Sequence, residues 1–332
     1  MEVMSNIMTY AIAATQTEES SLSKITTTAL LVILGVLTLA FVVVFIQDLI
    51  KHKDEMIKES HAIKNFIVTS IIGFVVNFFD TLGIGSFAPS TALLRVTKTT
   101  EDRLIPGTLN VACCIPVVAE AFLFISGVKV EPITLAAMLI AATAGAYLGA
   151  GIVSKLPTKS IQFVMGCALA VTGIIVVCQL TGVLPTSLES AETGLTGAKF
   201  VIGVVANFVL GALMTAGIGL YAPCMALVIF LGMSVDVAFP IMMGSCAYLM
   251  PVASIKFVKE GAYNRTACLA FSIFGVVGVY VAYLFFSGLL KNTFNIAGNE
   301  VTGKTILLWI VVAVMVYTST SLFMAAKKKE SK

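Results

Sequence analysis

Two short stretches hold the residues in this chain that could do chemistry. The first, DTLGIGSFAPST, runs from Asp80 to Thr91, and the second, TAGIGLYAPCM, from Thr215 to Met225. Each places a Gly-Ile-Gly, Gly83-Ile84-Gly85 or Gly217-Ile218-Gly219, shortly before a proline, Pro89 or Pro223. Glycine permits left-handed turns and lets backbone approach a ligand closely. Proline suits the start of a helix, where no amide hydrogen is needed. The spacing therefore predicts a helix that breaks at the glycines and restarts at the proline. A helix that restarts inside an apolar run aims unpaired N–H groups and the positive end of its dipole at the break. The chemistry this suits is recognition of an anion, largely by backbone.

The side chains around the two breaks complete the candidate site. Ser86, Ser90, Thr91 and Tyr221 supply hydroxyl donors, and Cys224 follows Pro223 directly. A thiol there could react with a sulfur oxyanion, although a small apolar filler is the preferred reading. Asn77 and Asn207 precede the breaks and either bind substrate or stitch helices together. Asp80, three residues before Gly83, is an acid in an apolar run, where a charge is costly and marks function by default. Beside an anion it repels unless protonated, which couples the anion to a proton. The competing reading is that Asp80 caps amides of the turn. Glu120 is expected toward the outer end of its apolar run, with a weak relay role. Thr100 with Asp102, and Ser234 with Asp236, read as helix caps, and Pro106 and Pro240 as bends.

The elements that must position these residues are helices in lipid. The 332 residues are 58% hydrophobic and only 12% charged, with a mean hydropathy of +1.00, far outside the range of a soluble domain. Apolar runs over 26–47, 65–94, 104–126, 132–153, 160–182, 199–232, 237–257, 265–290 and 304–326 predict an all-α polytopic membrane protein. The net charge of +3 gathers at run ends and in the tail from Lys327 to Lys329. That is a topology signal rather than a nucleic-acid footprint, so no nucleic-acid partner is expected. Residues 1–24 carry Glu2, Glu18 and Glu19 without a basic start, and no signal peptide is expected. The seven cysteines show no metal spacing, and His52 and His61 fall in a charged, solvated loop over 48–64.

The chain also repeats itself. Shifted by 134 residues, the first glycine motif falls on the second, Phe87-Ala88-Pro89 on Tyr221-Ala222-Pro223, and Pro106 on Pro240. Before the glycines the shift is 130, which aligns Gly73 with Gly203 and Asn77 with Asn207. The expected organisation is an N-terminal segment with one extra helix over 1–63, repeats over 64–183 and 197–326, and a basic tail over 327–332. Runs 65–94 and 199–232 exceed one crossing but fall short of two. Read as hairpins that return to their own side, with the N-terminus outside, they place 16 of the 21 Lys and Arg in the cytoplasm; single crossings place 13 there. The hairpin reading is preferred. It leaves an odd number of crossings per repeat and so makes the repeats inverted.

With both motifs in view, the sequence resembles the TauE/SafE sulfite exporter family, also called the toluene sulfonate uptake permeases. The resemblance runs from about residue 64 to 326. It implies a plasma-membrane permease for sulfite, sulfonates or related anions, with no cofactor. The chain departs from the common pattern in Ile84 and Ile218 between the glycines, and in Ser86 and Leu220 after them. A passive anion channel is the alternative function. An intramembrane enzyme is disfavoured, because no span carries a histidine and no paired-aspartate or HExxH motif occurs.

Overall fold

The computed structural model describes residues 2–58, 62–83, 85–127, 130–153, 192–215, 219–297 and 300–327, with isolated positions between 159 and 181. Among the described residues the regular elements are helical, apart from one isolated bridge between Glu192 and Met233. Helix α1 (Glu2–Lys51) is followed by the short α2 (Lys53–Lys58). Next come α3 (Ala62–Thr81), α4 (Phe87–Thr97), a 3-10 turn (Asp102–Leu104), α5 (Ile105–Gly127) and α6 (Pro132–Val153). After the second described stretch begins come α7 (Gly197–Thr215), α8 (Tyr221–Phe230), α9 (Val235–Glu260), α10 (Arg265–Ala297) and α11 (Glu300–Lys327). Six helices among the described residues are long and apolar enough to cross a membrane: the Ile25–Lys51 part of α1, then α3, α5, α7, α9 and the start of α10. This is a multi-pass membrane protein.

Helices α5 and α9 are buried nearly all round and form the centre, as expected for helices without an amphipathic face. Around them α3 packs on α10 and α7 packs on α6, each pair drawing one helix from either side of the chain. Glycines set the spacing. A methyl group at Gly145 would overlap the Phe208 carbonyl, and one at Gly278 would overlap the Phe74 carbonyl. Small residues at such crossings let backbones pack closely where lipid supplies no hydrophobic drive.

The ends of the bundle show how the broken helices run. At one end Asn65 at the start of α3 and Lys98 at the close of α4 line the same cleft, with Asn264 and Arg265. There Asn264 donates from Nδ2 to the Thr99 carbonyl at 3.0 Å and from its backbone amide to Thr108 Oγ1 at 2.9 Å. At the other end Lys199 pairs with Glu192 at 3.7 Å, Glu192 bridges to Met233, and the Leu195 amide donates to Thr134 Oγ1 at 2.9 Å. Thus α3–α4 leaves and returns to one end, and α7–α8 leaves and returns to the opposite end.

Helix α1 lies against this bundle through Leu30, Leu34, Phe41 and Phe45. Tyr248 donates its hydroxyl to the Leu30 carbonyl. Asp48 accepts from Tyr263 Oη at 2.6 Å and from Arg265 Nε at 2.7 Å. Burial and the Asp48 carboxylate push the Tyr263 phenol above its ordinary value. His52, expected to be solvated, is half-buried and paired. Since α1 runs on to Lys51, His52 and Asp48 stand one turn apart, and they meet at 3.2 Å. His61 lies outside the described residues.

The predicted caps are also revised. Ser234 makes no side-chain cap, and the Thr100 hydroxyl is buried without a partner. The capping falls instead to residues at tight turns. Asn264 Oδ1 accepts from the Ala267 amide at 2.9 Å, and Glu131 accepts from Ile133 and Thr134 at 3.0 and 2.6 Å. Pro106 is the second residue of α5, in the first turn, where it breaks no helical bond.

Candidate functional site

The first break is built by Gly83 and Gly85. Their φ values of 89° and 86° lie in the region that L side chains rarely adopt. The Gly83 amide closes a turn onto the Asp80 carbonyl at 2.7 Å. A methyl at Gly83 would stand 3.0 Å from Met225 Cε and 3.5 Å from Phe239, so this tip packs directly on α8 and α9. Ile84, Gly217 and Ile218 lie outside the described residues.

The restart differs from the prediction in register. Helix α4 begins at Phe87 and α8 at Tyr221, two residues before Pro89 and Pro223, which occupy the first turn. The first helical bonds run from the Ser90 amide to Ser86 O at 3.0 Å and from the Cys224 amide to Leu220 O at 2.9 Å. Neither N-cap residue, Ser86 or Leu220, makes a side-chain cap. The leading amides of both helices therefore have no partner within the helix.

These two helix starts face one another. The Cβ direction of Gly85 points at Tyr221 Cβ, 3.7 Å away, and that of Gly219 points at Phe87 Cβ, also 3.7 Å away. At the shift of 134 residues position 85 falls on 219 and 87 on 221, and each tip touches the other's first helical residue. Two helix N-termini converge there from opposite ends of the bundle.

Asp80 stands beside this junction, fully buried, with neither carboxyl oxygen in a hydrogen bond. Ser86 faces it through its hydroxyl and its amide, outside hydrogen-bond geometry. Asp80 therefore does not cap the turn by a direct bond. Ser90 is buried and its hydroxyl is unpartnered. Thr91 is turned away onto its own helix, donating to Phe87 O at 2.8 Å.

Glu120 lies in the last third of α5, toward the end expected. Its side chain is fully buried at the junction, where Thr81 Oγ1 donates to Oε1 at 2.9 Å and Tyr221 Oη donates to Oε2 at 2.6 Å. Cys113 and Cys246 lie within electrostatic reach of both acids, and Cys246 donates to Met214 Sδ at 3.6 Å. Cys224 is buried alongside, a thiol among thiols. Position within an apolar run could not disclose this grouping. The one available signal was an acid, Glu120, whose repeat mate is the uncharged Ser254.

The two asparagines divide. Asn207 donates to the Met138 carbonyl at 2.8 Å and to Ser245 Oγ at 2.9 Å, tying α7 to α6 and α9. Asn77 donates to Gly73 O on its own helix, at 2.7 Å, while its backbone carbonyl shares the single Thr81 hydroxyl hydrogen with Glu120. Both keep an unpartnered, buried Oδ1. No group of three or more His, Cys, Asp or Glu among the described residues could hold a metal ion.

Comparison with known families gives one match: the model for the sulfite exporter TauE/SafE family covers residues 18–176, which takes in the first hairpin with α5 and α6. No curated protein and no solved structure matches the chain.

Proposed function

Because the model for the sulfite exporter TauE/SafE family matches residues 18–176 of this chain, we propose that it is a secondary transporter of sulfite, sulfonates or related sulfur oxyanions. The anion binds near the midplane between the starts of α4 and α8, held by their leading amides. Asp80 couples its movement to a proton. One observation carries this reading: two unsatisfied helix N-termini meet reciprocally beside a buried acid. Discontinuous helices meeting midway is the arrangement by which many secondary transporters hold substrate and ion.

The binding residues of this proposal are Gly83, Gly85, Ser86, Pro89 and Ser90 on one side, with Gly217, Gly219, Tyr221, Pro223 and Cys224 on the other. Thr91, Asn77 and Asn207 serve the scaffold. The halves 64–183 and 197–326 are inverted repeats. The exchange of packing partners, α3 on α10 and α7 on α6, supports this, as do hairpins that open at opposite ends. The end holding Glu55, Lys98 and Arg265 faces the cytoplasm of a plasma-membrane protein, in keeping with its share of basic residues. The N-terminus is then outside and the C-terminus inside.

The test is uptake of labelled sulfite and a small sulfonate into proteoliposomes, with and without an imposed pH gradient. Saturable flux that responds to the gradient is expected. Non-saturating flux indifferent to the gradient would replace the carrier with a channel. No flux of either anion would withdraw the sulfur-anion assignment.

A further inference from the structure

The carrier reading leaves one buried acid without a task. Glu120 receives Thr81 on one oxygen and Tyr221 on the other. Thr81 closes α3 and Tyr221 opens α8, so a single carboxyl from α5 bridges the two hairpin tips. Tyr221 spans the distance itself. Its Cβ lies over Gly85 at the helix-end junction, while its hydroxyl ends on Glu120. The titratable groups facing Glu120 are Asp80 on α3, Tyr221 on α8, Cys246 on α9 and Cys113 on its own helix. No cation among the described residues acts on it.

An ionised carboxylate accepts hydrogen bonds on both oxygens, whereas a protonated one turns an oxygen into a donor and frees that oxygen's partner. Two anions that need the same donors in a water-poor interior exclude each other, because like charges are poorly screened there. We propose that Glu120 is a tethered competitor of the transported anion: ionised, it holds the Thr81 and Tyr221 hydroxyls, and the anion gains a hydroxyl only when Glu120 is protonated.

In that step a proton from water on the open side bonds to a Glu120 oxygen as the anion binds. One proton is therefore bound with each anion. The repeat mate of Glu120 is Ser254, buried, uncharged and with its hydroxyl unpartnered, so the competitor exists on one side only. The inference rests on the anion-carrier reading and assigns that site its proton stoichiometry.

The experiment uses the full chain purified in detergent, with thiosulfate, sulfate and methanesulfonate as probes, since the charge of each is fixed between pH 5 and 8. Binding and proton uptake from weakly buffered solution are read together. For the unmodified protein, affinity should fall as pH rises, by about tenfold per unit once Glu120 ionises, with one proton taken up per anion bound. Glu120→Gln should bind at a pH-independent affinity with no proton uptake. Tyr221→Phe should weaken binding at every pH. Asp80→Asn should keep the pH dependence of binding but lose gradient-driven flux. A Glu120→Gln variant that retains both slope and proton uptake overturns the inference. So does an unmodified protein that binds anion with a flat pH profile, which needs no variant to fold. If the unmodified protein binds none of the three probes, the carrier reading itself falls, and this inference with it.

Discussion

The two hairpins share a frame and differ in what they bring to the junction. Each consists of a long helix, a break and a short helix with proline in its first turn, and each tip touches the other's first helical residue. The first hairpin brings Asp80, Ser86 and Ser90; the second brings Met214, Leu220, Tyr221 and Cys224. Even the matched asparagines part ways, Asn207 bonding across helices and Asn77 within its own. Both hairpins present a helix end, and the polar side chains collect on one side. A pair of helix ends can serve an anion symmetrically, but a proton needs an acid, and both acids lie with the first half.

That comparison can be broken most sharply at Asp80. Asp80→Asn should abolish the response of flux to a pH gradient, while Met214→Leu, three residues before Gly217 as Asp80 is before Gly83, should retain it. Equal losses in a proteoliposome assay would mean that the asymmetry has no bearing on coupling.

The next largest effects test the shared frame. Gly145→Ala and Gly278→Ala occupy equivalent crossings, each against a phenylalanine carbonyl. Both should destabilise by about 1–3 kcal/mol through overpacking, read as thermal unfolding in detergent. If one is tolerated, the two pairs are not packed alike.

Smaller, and one-sided, is the outcome expected at the tips. Gly85→Ala forces an alanine into a positive φ and should cost about 1–2 kcal/mol. Gly219→Ala carries no such backbone strain and meets Phe87 Cβ at an ordinary 3.7 Å, so its cost should be clearly lower. Smallest is the asparagine pair. Asn207→Ala should cost about 0.6 kcal/mol, as measured on average for polar contacts between membrane helices, and Asn77→Ala less, since its donor bond stays within one helix.

How far the sequence alone reaches can be seen at particular residues. The apolar runs and the two Gly-Ile-Gly motifs mark the helices and where they stop, because the lack of a Cβ and of an amide hydrogen act locally. The lysine count, which sums over the whole chain, pointed to hairpins whose ends the structure brings together at Asn65 and Lys98. The register of the restart was two residues early relative to the prolines, since a first turn tolerates proline anywhere it would leave no bond unmade. The partners of Glu120 were hidden for another reason. They depend on where α5 sits against other helices, and no local pattern carries that. The same holds for Asp48, whose partners Tyr263 and Arg265 are more than two hundred positions away.

The glycine crossings have a consequence for motion. Where backbones touch, as between α6 and α7 or α3 and α10, sliding is blocked, and each pair must travel as one stiff arm. The middle is different: Met214, Met225, Met242, Met243 and Cys246 line α7, α8 and α9 there, and thioether chains adapt their shape at little cost. Any opening of this protein to one face should therefore leave the arms undistorted and be absorbed by sulfur-bearing side chains re-seating between them.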